Sequence, residues 1–124
     1  MGPWTPPSGG GGLVIADSGD PDQAEQVIQL PNGKLQVAGF ADATGPNSDF
    51  LLARFLPDGV LDTSFGTDGL LRSDFNGSPD QSNSIAIAGS DLLLTAGWSG
   101  LPQDFALARY IASTPVELLD FEVE

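Results

Sequence analysis

The sequence predicts an all-β protein: two four-stranded antiparallel sheets, each a propeller-like meander blade, together forming an incomplete or open propeller. Three observations carry this expectation. The 124-residue chain contains 16 Gly and 10 Pro, which cut it into short elements and disfavour long helices. The block DQAEQVIQLPNGKLQVAGF (22–40) lies over DQSNSIAIAGSDLLLTAGW (80–98) without a gap at an offset of 58 residues. DFLLARF (49–55) then meets DFALARY (104–110) at an offset of 55, and loops 41–48 and 99–103 absorb the difference. A fixed period with length variation confined to loops marks one supersecondary unit being stacked.

Taken in order, residues 1–11 form a Gly- and Pro-rich disordered leader. GLVIA (12–16) and GLLRS (69–73) are expected to open the two units, giving a first blade over 12–68 and a second over 69–112, with 113–124 as a tail available to add a strand. AEQVIQL and SNSIAIA are second strands, where Val27 with Gln29 and Ile85 with Ile87 begin a period-2 pattern. Asn32-Gly33 signals a hairpin into the third strand KLQVAGF, since both residues tolerate positive φ, and Gly89-Ser90-Asp91 serves the same turn before DLLLTAGW. The fourth strands, LLARF and ALARY, are apolar on both faces, as a sheet sandwiched between neighbouring sheets requires.

The link LPDGVLDTSFGTDG (56–69) carries turn chemistry at Pro57-Asp58-Gly59 and one apolar anchor, Phe65. Arg54 and Arg109 share a repeat position on otherwise apolar strands. One reading is an anion contact in a central channel. The other is a structural ion pair, with Arg54 held by Asp58 or Asp62, because a buried guanidinium must be paired. Gly39 and Gly97 sit in the matched Ala-Gly-aromatic closures and are expected to be structural.

DFLLARFLPDGVLDTSFGTDGLL, preceded by LPNGKLQVAGF, resembles the bacterial delta-60 repeat, whose pattern runs D-G-K-(apolar)-V-A-G, then D-F-A-L-A-R-Y, then D-G-x-L-D-x-x-F-G-x-x-G. The resemblance implies β-propeller-like arrays in long secreted or cell-surface proteins of unassigned biochemical role. It therefore places the chain at the cell surface or outside the cell, as the C-terminal fragment of a larger array, although MGPWTPPSGGGG carries no signal peptide. The second unit departs from the pattern, with IASTPVELLDFEVE where the linker motif would recur.

Charge narrows the partners. Four cations against 17 carboxylates give a formal net charge of −13, which disfavours nucleic acid and anionic membranes, and no apolar run is long enough for membrane insertion. The absence of Cys and His removes thiolate chemistry, ordinary zinc sites and Ser-His-Asp catalysis. No cofactor is expected. Asp17, Asp20 and Asp22 offer hard oxygen ligands that suit Ca²⁺, against turn capping as the plainer role. Phe40 and Trp98 end equivalent strands and either stack on sugars or pack between blades. Asn76-Gly77-Ser78 fits a glycosylation sequon or a turn. The expected function is a non-enzymatic structural or binding scaffold, with a carbohydrate-binding or calcium-assisted adhesion module as the alternative and a glycoside hydrolase-type enzyme ranked below it. Two blades cannot close a ring, so outer apolar faces are expected to self-associate or to meet further blades of the same protein, with a glycan or protein as other ligands.

Overall fold

The computed structural model describes residues 14–42, 47–74, 77–88 and 92–111, together with the backbone of 117–123. The strands are β1 (Asp22–Gln29), β2 (Leu35–Ala41), β3 (Asp49–Phe55), β4 (Leu70–Ser73), β5 (Asp80–Ala88), β6 (Leu92–Ser99), β7 (Asp104–Ile111) and β8 (Glu117–Val123). They form two four-stranded sheets of identical order, β1-β2-β3-β4 and β5-β6-β7-β8, antiparallel throughout. The fold is thus all-β, two meander sheets in an open, propeller-like stack.

Turn chemistry accounts for the meander. Leu30-Pro31-Asn32-Gly33-Lys34 folds on Gly33 N→Leu30 O (2.9 Å) and Leu30 N→Lys34 O (2.8 Å), while the Asn32 carboxamide oxygen accepts from Lys34 N. Gly33 takes the positive φ (+88°) and Asn32 does not, so this is a three-residue loop rather than the two-residue turn that Asn-Gly suggests. Leu56-Pro57-Asp58-Gly59-Val60 repeats the device bond for bond. Gly59 N bonds Leu56 O, Leu56 N bonds Val60 O, and the Asp58 carboxylate accepts from Val60 N.

The phase of the strands differs from expectation. GLLRS does not open the second sheet: Leu70–Ser73 pairs with β3 and closes the first. Residues 14–16 of GLVIA lie outside any strand, and β8 fills in the second sheet the place that β4 holds in the first. The sheets therefore run over 22–73 and 80–123. The cause is the link 61–69, which hooks back on itself through Phe65 N→Asp62 O, Gly69 N→Phe65 O and Arg54 N→Gly69 O, with positive φ at Gly66, Asp68 and Gly69. The chain leaves the first sheet later, between Asp74 and Asp80, where Asp80 N bonds Ser48 O (2.7 Å).

Both sheets carry a β-bulge at the same repeat position, between Ala24 and Gln26 on β1 and between Ser82 and Ser84 on β5. The core lies between the sheets. Ala38, Phe50 and Leu52 of the first meet Ile85, Leu93, Ala106, Ala108 and Tyr110 of the second, with Leu30 and Phe65 completing the cluster. Burial alternates along the strands, as the pleat demands, and it alternates in opposite phase on equivalent strands. Phe50 and Leu52 are buried on β3, whereas their counterparts Phe105 and Leu107 on β7 are exposed, at 82% and 46%. The sheets accordingly pack front to back, as successive blades do.

Candidate functional site

Three features of the fold gather chemistry-bearing or exposed apolar side chains: the Arg54 cluster, an acidic junction at one end of the sheets, and the two outer sheet faces.

Arg54, buried on β3, donates through Nε to the Gln36 side-chain oxygen (2.8 Å) and lies over the Phe65 ring, 4.4 Å from its centroid. The Asp62 carboxylate expected for Arg54 is instead held by Lys34 Nζ at 2.7 Å. Lys34 reaches it because the 30–34 turn stands beside the 56–60 turn. Asp62 also accepts from Ser64 N and Ser64 Oγ (3.1 and 2.6 Å). Arg54 still holds the link, through Asp62 N→Arg54 O. This cluster is a structural clamp, walled in by Phe65. Arg109 stands exposed on β7, opposite Asp120 in backbone register. In place of Gln36 it has Leu94 beside it.

The Asp62 network sets a pH dependence. Burial alone would push its carboxyl up, but the Lys34 ammonium and the two Ser64 donors outweigh burial and hold it below the usual carboxylate value of 3.8. Its folded pKa being depressed, the stabilisation is present above the unfolded pKa and is lost as pH falls through the folded one. Asp62→Ala leaves Lys34 and Ser64 without their acceptor and is expected to cost about 2–3 kcal/mol at neutral pH, the gap from wild type narrowing below the ordinary carboxylate range. Denaturant midpoints measured at neutral and strongly acidic pH check this, and an equal gap at both would show that the charge is immaterial.

At the acidic junction, Asp49, Asp74 and Asp80 bring carboxylate oxygens within 4.8 Å of one another. Arg72 already sits in this cluster, donating through Nε to Asp49 (2.8 Å) and through an Nη to Asp20 (2.7 Å), and Ser99 Oγ donates to the buried Asp80. Burial pushes the Asp49 carboxyl up, the Arg72 guanidinium opposes it, and Asp74 reinforces it. Asp20 and Asp49 in turn push the Arg72 guanidinium further up. The aspartates singled out in sequence are not gathered into one group. Asp17 accepts from Gly19 N, Asp22 from Ser18 N, and Asp20 pairs with Arg72. Asp74 and Asp80 are their repeat counterparts. Asp49 was missed, and its signal was its place at the head of the DFLLARF motif.

Phe40 is buried in the face turned to the second sheet, so it packs rather than presenting a ring to solvent. Trp98, its counterpart, is half-buried on the open face of the second sheet, in register with the exposed Phe105. Gly39 and Gly97 lie opposite the bulges. A side chain at either would strike the carbonyl of Gln23 or Gln81. Asn76, the 89–91 turn and the whole 1–11 leader lie outside the described residues.

The outer face of the first sheet is a groove of about 620 Å³, floored by Leu35, Val37, Leu51, Ala53 and Phe55, with Val27 on its β1 side. Asp22 and Glu25 stand at its rim. Its lining is predominantly apolar, which suits a partner's side chains better than a charged metabolite.

Residues 30–65 match the model of the family described as "Domain of unknown function (DUF5122) beta-propeller". The matched segment runs from the first L-P-x-G turn through β2, β3 and the second such turn to Phe65, the segment that holds the Arg54 clamp. The match supports a β-propeller-like repeat. No curated protein and no solved structure matches the chain.

Proposed function

We propose that this chain is a non-enzymatic structural or binding module, part of a larger secreted or cell-surface array of the delta-60 kind, whose four-stranded sheets serve as stacking units. One observation carries the reading: both outer sheet faces are as apolar in pattern as the faces buried between the sheets. Supporting it, Lys34, Asp62, Arg72, Asp49 and Asp20 are spent on holding turns and strand ends rather than lining the groove. The delta-60 resemblance and the propeller-family match over 30–65 agree with repeated blades. A panel of glycoside, ester and phosphate substrates should show no turnover. Turnover abolished by one Asp→Asn change would sink this reading.

A second reading, a glycan-binding or calcium-assisted adhesion module, draws on the Trp98–Phe105 pair and the Asp49–Asp74–Asp80 group. Because Arg72 already supplies a cation to that group, millimolar Ca²⁺ should leave the melting temperature unchanged. A rise of several degrees would favour the calcium reading, as glycan-array signal lost in Trp98→Ala would favour the glycan one.

A further inference from the structure

Each exposed sheet face repeats, position for position, a face that is buried elsewhere in the molecule. On the open face of the second sheet the register pairs are Trp98–Phe105, Ala96–Leu107 and Leu94–Arg109. Their equivalents in the first sheet are Phe40–Phe50, Ala38–Leu52 and Gln36–Arg54, on the face that grips the second sheet. The converse also holds. The groove of the first sheet carries Val37–Ala53 and Leu35–Phe55, whose equivalents Thr95–Ala108 and Leu93–Tyr110 form the face that receives that grip. Among the described residues the sheets therefore present an exposed donor face on one side and, bordered by residues 14–16, an acceptor groove on the other.

We infer that the β6–β7 face of one copy docks head to tail into the β1–β3 groove of a second copy, repeating between molecules the contact that joins the two sheets within one. This rests on the reading of the sheets as stacking units and names their partner. The equivalence of positions sets the polarity: a symmetric pairing of two donor faces would set one protruding aromatic row against another and leave both grooves empty, whereas the head-to-tail contact repeats the one that already joins the two sheets. The protruding Phe105 and Leu107 supply the apolar anchors that a shallow apolar groove accommodates.

A head-to-tail contact leaves one donor and one acceptor unused until a ring closes, so assembly passes beyond the dimer. Light scattering coupled to size exclusion should give a mass at tens of micromolar at least about threefold above the 12.8 kDa chain, falling on dilution. Phe105 and Val27 are 82% and 56% exposed, so Phe105→Asp and Val27→Asp spare the core, and circular dichroism melts like those of wild type verify folding. Each variant alone should be monomeric. Mixed, they should form a complex of two chains and no more, because the Val27→Asp copy keeps an intact donor and the Phe105→Asp copy an intact groove. A folded wild type that stays monomeric, a Val27→Asp protein that still dimerises, or a mixture that stays monomeric would each overturn the docking. None of these outcomes bears on catalysis, so the docking can fail while the scaffold reading stands.

Discussion

Phe65→Ala is expected to lower the unfolding free energy by about 3–5 kcal/mol, a large share of the total stability of a domain of this size. The ring is fully buried and belongs to the inter-sheet core, although it stands in a loop. Its removal empties a cavity that the surrounding sheets cannot collapse into, because Asp62, Phe65 and Gly69 are tied in sequence by backbone bonds. It also uncovers the Arg54 guanidinium from the ring it lies over. Phe65→Leu separates the two terms. It returns most of the volume but no π face, so it should recover more than half of the loss and leave about 1 kcal/mol outstanding. Chemical denaturation with matched m-values measures both, and an Ala variant costing less than about 1 kcal/mol would show that the link is not an anchor.

The anchoring role of Phe65 was readable from its isolation in a polar link, and the strands from their period of two, because both signals are local. The phase of the sheets was not. GLLRS has the apolar pattern of a strand that could open the second sheet or close the first, and what assigns it to β3 is the backbone hook that ties Arg54, Asp62, Phe65 and Gly69. No side-chain pattern encodes that hook apart from the glycines at 66 and 69, which take positive φ there. The same gap explains Arg54. Its neighbours in sequence include Asp58 and Asp62, but pairing is settled by which turns stand side by side, and Lys34 arrives from 28 residues away to take Asp62. Asp49 escaped notice for a related reason. It belongs to a junction formed with Asp74 and Asp80, and none of the three lies in the Asp17–Asp22 stretch that offered ligands in sequence.

The matched glycines show where a repeat constraint can be tested most sharply. Gly97→Ala should cost on the order of 3 kcal/mol or more, with a fall in melting temperature of about 10 °C or greater. The reason is not conformational, since neither Gly39 nor Gly97 has positive φ. It is the bulge opposite. The extra residue between Ser82 and Ser84 pushes the Gln81 carbonyl toward β6, and a β-carbon on residue 97 would stand 1.7 Å from that oxygen. Backbone must therefore retreat by more than 1 Å in a sheet bonded on both sides. Gly39 repeats the arrangement, 1.9 Å from the Gln23 carbonyl across the bulge at Ala24 and Gln26, so Gly39→Ala should behave alike. Gly77→Ala is the control. It has a positive φ of +73° but open space around it, and should cost only about 1 kcal/mol. Trp98 adjoins Gly97, so its fluorescence should shift in the folded Gly97→Ala protein and stay put in Gly77→Ala. Equal costs at positions 77 and 97 would mean that the close approach is absorbed by the sheet. The bulge would then not be what demands the central glycine of the Ala-Gly-aromatic motif.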